Sequence, residues 1–445
     1  MARTSRRRAP RALLPIPRDP KDDTAEAPVE ARRALWSSVT GRPPEHVAGL
    51  PVPLASARGK VENLVGYAQV PIGLAGPLRV DTSAGSREVY VPLATTEGAL
   101  VASYSRGMRL LGAGAGARSR VVREGLSQAP ILVYPSAKEA LAAAEVARKS
   151  VARFERLVRT TTRHGALTGV SAQVIGRRLV LQLVFTTGDA IGINMAARAT
   201  DLCSAELARR TRAVERYVHG EDVEKRANAR ALVEGRGRSV VCEAVVPRAA
   251  LRELARTTPE ALVAIQRTYL TGFAHLGTQN GLVQSANGLA AAFLALGQDV
   301  AYVTESATGF LDLELTPAGD LHCAATLPSL LVGTVGGGTG QGTARECLEL
   351  LGCFGAGHGN TLAELLGAVV LAGDLSLMSA FCAHEFVAAH ERLGRNRPEP
   401  SAPDGPVRGA RSRAGDARPR PAQGPARAVR GGRAATSRAS QPRPT

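Results

Sequence analysis

The sequence predicts an α+β chain, and three observations carry that prediction. Apolar runs punctuated by turn formers recur at 62–78, 170–187 and 239–246 and read as strands. Helical periodicity dominates 97–111, 136–157, 260–296 and 360–392. The two glycine-rich places, 112–116 and 333–342, lack Gly-x-Gly-x-x-Gly spacing and no Walker sequence occurs anywhere, so a Rossmann-type domain is not supported. At 445 residues the chain is long enough for two or three domains and a large core.

Charge is concentrated at the ends. Of the net +17, residues 1–24 supply +4 and residues 397–445 supply +8, which leaves about +5 for the body. Residues 1–23 form a basic Arg/Pro-rich arm, and the tail from Arg397 is Pro, Arg, Gly, Ala and Ser; neither holds enough large apolar residues to fold, and both are expected to be disordered. A basic tail can bind nucleic acid through phosphate neutralisation, but the body has few aromatics and no nucleic-acid-binding motif, so that function class is disfavoured. No apolar run stands out as a membrane span and no signal peptide is evident, which points to a cytoplasmic protein with no membrane partner. Six cysteines are scattered without C-x-x-C or metal spacing and read as reduced, mostly buried thiols; no metal is expected.

Taken in order, 24–48 is a short helical lead-in, and 62–78 is strand and loop with a constrained backbone. Val91-Pro-Leu-Ala-Thr-Thr-Glu97 then runs into Leu100, Tyr104, Met108 and Leu111 at helical spacing, so the Thr pair suits a cap and Glu97 falls in the first turn. Gly112 to Gly116 is a flexible turn, 136–157 an Ala/Glu/Arg helix, and Leu179–Phe185 a strand. Asp189-Ala-Ile-Gly192-Ile-Asn194-Met195 leads into an amphipathic helix ending near Leu207. Two closing helices, 360–372 and 374–392, are expected to break at Gly373 with Asp374 as a cap.

Two places invite chemistry. A carboxylate at a helix N-terminus is stabilised as the anion, while burial favours its protonated form, and that opposition makes a glutamate usable as an acid. Glu97 fits either that role or a plain helix-dipole contact. Three successive glycines at 336–338 let backbone amides approach an anion or a long thin ligand, against the alternative of a tight strand-to-helix turn.

Several blocks together resemble the 3-hydroxy-3-methylglutaryl-CoA (HMG-CoA) reductase family. They are Glu62-Asn-Leu-Val-Gly-Tyr, Ala94-Thr-Thr-Glu-Gly-Ala-Leu-Val-Ala-Ser103, Gly188-Asp-Ala-Ile-Gly-Ile-Asn-Met195, Gly297-Gln-Asp299, Gly333-Thr-Val-Gly-Gly-Gly-Thr339 and Leu371-Ala-Gly-Asp-Leu-Ser-Leu-Met-Ser-Ala380, in order between about residue 30 and 396. The resemblance is to the soluble catalytic portion of the biosynthetic class I-like members. It implies a large domain with a long central helix and a small inserted cofactor-binding domain, preceded by a short helical N-terminal segment. Applied here, 24–61 is the helical segment, 62–125 and 218–396 the large domain, 126–217 the NADP-binding insert, and 397–445 the tail. It also implies a homodimer or higher homo-oligomer with active sites between subunits. The reaction is reduction of HMG-CoA by two NADPH, through a hemithioacetal and an aldehyde, to mevalonate and CoA.

The matching positions suit that chemistry. Hydride attack on a thioester builds negative charge on oxygen, which the ammonium of Lys225 would stabilise. Glu97 matches the acid, Asp299 the carboxylate that couples Lys and Glu, and His390 the group that protonates the departing thiolate. Without the resemblance, Lys225 is one charge of a solvated cluster, Asp299 a turn cap and His390 a helix C-terminal cation. Asp189, Gly192, Asn194 and Met195 match the nicotinamide half of the cofactor site. Arg153 matches a residue near the 2′-phosphate, which favours NADPH over NADH. Ser103, Asn287, Arg226 and Arg267 match substrate-side positions.

Departures are equally specific. The family usually has Arg where this chain has Gln128, Lys where it has Arg226 and Arg267, Asp where it has Glu224, and His where it has Gln284. The reacting groups are kept while the groups expected to grip the distal carboxylate are altered. The expected substrate is therefore HMG-CoA, with a related acyl-CoA or carrier-bound thioester as the alternative, and a weakly active binding protein as the third reading.

Overall fold

The long strand β3 (Ala117–Gln128) organises the molecule, because its two halves belong to different sheets. In this computed structural model, which describes residues 14–19, 26–45, 68–221 and 223–384, Arg118 to Gly125 pair antiparallel with β8 (Gly237–Val246), and Leu126 to Gln128 pair antiparallel with β6 (Arg178–Thr186). The arm at 1–13, the Glu62–Tyr67 block, His390 and the tail lie outside the described residues.

On the first sheet, β1 (Ile72–Thr82) and β2 (Gly85–Ala94) form an antiparallel hairpin running from Ile72 opposite Ala94 to Thr82 opposite Gly85, with a register shift between Ala75 and Leu78. The order continues through β3 and β8 to β10 (Leu321–Leu330) and β9 (Phe310–Leu315). On the second, β5 (Ala166–Ile175) and β6 pair with each other, β4 (Ile131–Val133) adds to β6, and β7 (Glu215–Tyr217) pairs with β4. Helices α3 (Ala137–Arg148), α4 (Val151–Arg159) and α5 (Ile193–Thr211) pack with this second sheet. The single helix expected over 136–157 is thus two, separated at Lys149 and Ser150. Ser150 turns its hydroxyl back onto the Val146 carbonyl at 2.6 Å, a side-chain bond that competes with the helical ladder.

The lead-in helix α1 spans Glu26–Thr40, and α2 spans Leu100–Gly112. The Thr pair does not cap α2. Ala99 does, in the left-handed region at φ 69° with no side-chain cap bond, so Glu97 sits in the turn ahead of the helix rather than in its first turn. The 112–116 turn is packed rather than flexible. A Cβ at Gly114 would lie 2.3 Å from the Val245 carbonyl oxygen.

The remaining helices are α6 (Ala229–Glu234), α7 (Arg248–Ala255), α8 (Pro259–Leu276), α9 (Ser285–Ala295), the short α10 (Val303–Ser306), α11 (Gly342–Leu350) and α12 (Gly359–Cys382). The predicted break at Gly373 does not occur: α12 runs unbroken. By length and composition it is apolar enough to cross a membrane, contrary to the sequence reading, but 20 of its 24 residues are buried among the protein's own elements. Glycine serves helix contact here. A Cβ at Gly107 would fall 1.8 Å from the Ala372 carbonyl oxygen, and Cβ atoms at Gly373 and Gly288 would both strike the Tyr104 ring. Helices α2, α9 and α12 therefore close around Tyr104, whose hydroxyl donates to the Gln284 carbonyl at 2.6 Å. All six cysteines are unpaired, five of them buried, and burial pushes the Cys203 thiol up to about 12.

Candidate active site

Lys225 lies in the loop between β7 and α6 with φ 58°, a conformation that costs a non-glycine residue roughly 1–2 kcal/mol. Its backbone N–H donates to Glu305 Oε1 at 2.5 Å. Its ammonium lies 2.9 Å from Asp299 Oδ2 and 5.0 Å from the centroid of the Tyr302 ring. Asp299 caps the 3₁₀ turn Val300–Tyr302 by accepting from the Ala301 N–H, so its carboxylate is fixed by backbone as well as by charge. Behind this pair is a buried ion pair: Arg236 donates to both oxygens of Glu305 at 3.0 and 2.9 Å, and the two side chains are 2% and 0% exposed. Glu224 completes the group, accepting from Gln128 at 2.6 Å and from the Tyr302 hydroxyl at 3.2 Å. Its Oε1 lies 3.4 Å from Arg236 Nη2, close enough for charge attraction but outside hydrogen-bond geometry, since that nitrogen has no hydrogen-bond partner. Arg226 is exposed and lines, with Asn228, Glu305 and Ser329, a small cavity beside the lysine loop.

Glu97 belongs to a second group. Asn287 donates to its Oε2 at 2.9 Å, and both residues are exposed. One turn of α9 earlier, Gln284 Oε1 accepts from Ser103 at 3.3 Å; Ser103 also meets Ser376 at 3.0 Å, which in turn accepts from Arg106. Underneath, the carboxylate of Asp374 accepts from the Val283 and Gln284 N–H groups at 3.0 and 2.8 Å, where α9 begins. Complete burial pushes the Asp374 carboxyl up to about 7, with those two amides opposing. So Glu97, Asn287 and Ser103 are gathered near the start of α9, and Lys225 and Asp299 form a cluster of their own. Among the described residues no hydrogen bond or ion pair joins the two groups. Arg267 joins neither; it is exposed on α8.

The third group is the loop 187–195. Gly192, at φ 83°, caps α5, placing Asn194 and Met195 in its first turn, with Asn194 exposed. Asp189 is committed to structure: its carboxylate accepts from Gly357 and Gly359 at 2.8 and 2.9 Å at the start of α12. Burial opposes ionisation, but those two amides and the nearby Arg238 hold the carboxyl below its usual range. The Asp189 carbonyl accepts from Thr334, which seats this loop against 333–342. Gln298, beside Asp299, exchanges two hydrogen bonds with the Gly333 backbone, and a Cβ at Gly338 would meet the Gly297 carbonyl at 2.5 Å. The glycine loop is therefore partly a packing device at Gly333 and Gly338. At Gly336 and Gly337, φ is 80° and 55° and the Cβ position is open, so there the backbone stays accessible. Arg153 is further along α5's flank, paired with Glu206 at 2.5 Å, and Glu206 also accepts from Arg209. Among the described residues no cluster of His, Cys, Asp and Glu could hold a metal.

The model of the hydroxymethylglutaryl-coenzyme A reductase family matches residues 28–395. The chain belongs to this family. HMG-CoA reductases of Methanothermobacter thermautotrophicus and Haloferax volcanii are each 38% identical to it, over 82% and 83% of this chain and 93% and 94% of their own lengths. The fold is similar to that of a class II HMG-CoA reductase from Streptococcus pneumoniae, described as bound to NADPH in open conformations, at TM-score 0.62 and 19% identity, covering 74% of this chain and 89% of that one.

Within the HMG-CoA reductase family pattern, reading the sequence missed the residues behind the lysine. Arg236 and Glu305 were not singled out, although the Gly-Arg-Gly-Arg run at 235–238 enters an apolar strand and a buried guanidinium requires a carboxylate partner. Which carboxylate answers it is a matter of tertiary contact. The sequence also offered no sign that Asp189 would be held by the first turn of α12.

Proposed function

We propose that this chain is an NADPH-dependent reductase that converts HMG-CoA to mevalonate and CoA in the cytoplasm, with Lys225, Asp299 and Glu97 as its reacting groups within the described residues. The observation that carries the reading is the Lys225–Asp299 ion pair set against the 333–342 loop through Gln298. His390 is part of the proposal as the thiolate's proton donor. The class I-like biosynthetic assignment belongs to it as well.

Residues 126–217 are the cofactor-binding subdomain in this reading. The open left-handed glycines at 336 and 337 and the exposed start of α5 fit an extended ligand laid along backbone, with Asn194 and Met195 beside it and Arg153 facing the 2′-phosphate. When bound, NADPH supplies hydride. Lys225 places an ammonium where the thioester oxygen gains negative charge, and Asp299, 2.9 Å away, keeps it aimed. Glu97, oriented by Asn287, delivers a proton to the carbonyl-derived oxygen. In this reading the substrate's acid end meets no cation at position 128, where Gln128 is buried and donates its amide to Glu224. This favours relaxed selection for the distal carboxylate.

A homo-oligomer in which one subunit's acid meets another's lysine belongs to this reading. The largely exposed second half of α8, including Leu270 and Leu276, supports an association of subunits. The test is NADPH oxidation by purified protein over a panel of acyl-CoA thioesters, with Lys225→Ala and Glu97→Gln alongside. Turnover of HMG-CoA that drops at least about a hundredfold in each folded variant is expected, the scale of a main oxyanion partner. Complementation on mixing the two variants is the further result that intersubunit sites require.

A further inference from the structure

We infer that the buried Arg236–Glu305 ion pair is a positioning device for Lys225, acting through the lysine's backbone rather than its side chain; the inference rests on the catalytic reading of Lys225 given above. Lys225 is one of five non-glycine residues at positive φ among the described residues, and its N–H is anchored at 2.5 Å by Glu305 Oε1. The left-handed conformation is disfavoured for lysine, so something must hold it. Glu305 does so and is itself immobile. Arg236 Nη1 grips both its oxygens, and Arg236 is in turn fixed by its own Nε on the Ser127 carbonyl at 3.2 Å and by its N–H on Ser329 Oγ at 3.0 Å.

A buried ion pair is weak as a source of stability, because desolvation of the two charges offsets their attraction. What this pair adds is a rigid acceptor at one point of the chain. With the N–H pinned there, the lysine side chain leaves the loop toward Asp299 across the Tyr302 ring. Release the N–H and the residue can relax to an ordinary φ, carrying the ammonium away from Asp299.

The test separates reach from charge in the full chain. Glu305→Asp keeps the charge opposite Arg236 but is one methylene too short to serve both Arg236 and the Lys225 N–H. Glu305→Gln keeps the acceptor oxygen at the same reach and loses the charge. Positioning predicts that Glu305→Asp lowers kcat by about tenfold or more, with KM for HMG-CoA and Kd for NADPH within about twofold, since an interaction felt only in the transition state alters kcat alone. It predicts that Glu305→Gln melts lower yet keeps kcat within about threefold. A merely structural pair predicts the reverse order, with kcat following melting temperature in both. A folded Glu305→Asp protein with near-normal kcat overturns the inference. Should either single variant fail to fold, Arg236→Met with Glu305→Gln removes both charges and keeps the acceptor; positioning requires its kcat to stay near normal, and a loss beyond about tenfold overturns it. Lys225→Ala is measured beside these. Normal turnover there overturns the catalytic reading and the inference with it, whereas lost turnover there with an unaffected Glu305→Asp overturns the positioning alone.

Discussion

Replacing Asp374 by Asn should change how stability depends on pH, and the direction follows from burial. The carboxyl titrates at 3.8 when unperturbed and is pushed up to about 7 in the fold. Between those values the native state holds a proton that the unfolded chain has released, so stability falls as pH rises from about 4 to about 7. At 1.36 kcal/mol per pKa unit the span corresponds to at most about 4 kcal/mol, fully present below pH 4 and lost by about pH 7. Asn cannot titrate, and its carbonyl oxygen still accepts one of the two N–H bonds now made by Val283 and Gln284. The assay is urea denaturation of both proteins at half-unit steps from pH 4 to 8, taking the difference between them so that every other titrating group cancels. The wild type should lose stability relative to the variant across this window. Parallel pH profiles would show that the Asp374 carboxyl is ionised throughout, and that the two amides outweigh its burial.

Three further outcomes are expected. Gln128→Arg should lower KM for HMG-CoA roughly ten- to a hundredfold, with kcat little changed, because a charge-assisted partner for a carboxylate is worth about 1.5–3 kcal/mol; equal KM values in steady-state assays would refute a carboxylate-facing position. Glu206→Gln should tighten NADPH several-fold and leave NADH unaltered, read by nucleotide fluorescence, because it frees Arg153 for the 2′-phosphate; an equal change for both nucleotides would remove Arg153 from that role. Gly107→Ala should cost about 3 kcal/mol or more in chemical denaturation, since its Cβ meets the backbone of α12; a smaller loss would mean that the two helices can separate there.

Local pattern made the elements legible and left their partners hidden. The strands β6 and β8 and helix α5 follow from apolar runs, turn residues and amphipathic spacing. Gly373 misled because a glycine in an apolar helix reads as a break, whereas here it is a contact made for the Tyr104 ring. The same holds for Gly338, whose apparent cost in backbone entropy is repaid by close packing on Gly297. Within the site, Asp299 is expected to couple Lys225 and Glu97; it meets Lys225, whereas Glu97 meets Asn287, a contact the motifs do not announce. Asp189 is expected beside a cofactor, and its carboxylate is held by Gly357 and Gly359, some 170 residues away in sequence. Such long-range hydrogen bonds leave no periodic trace, so neither that contact nor the Arg236–Glu305 pair was readable beforehand.

The departures at Gln128 and Glu224 are best understood as one change rather than two. The amide of Gln128 donates to Glu224, so the position that would hold a guanidinium still meets the neighbouring carboxylate, but without charge. Among the ion-paired side chains around Lys225 this leaves two cations, Lys225 and Arg236, against three carboxylates, Glu224, Asp299 and Glu305. Arg236 is spent on Glu305 and Lys225 on Asp299, so the least compensated charge sits at Glu224, which has only the 3.4 Å approach of Arg236. An excess negative charge there disfavours an anionic end group by simple Coulomb repulsion. It does little to the ammonium, whose partner is 2.9 Å away. On the proposed catalytic reading the arrangement separates two tasks: the group that would stabilise developing charge is kept, and the surroundings that would select an acidic substrate are weakened. Arg226, exposed beside the lysine loop where the family usually has Lys, brings a planar head whose geometry differs from a lysine's.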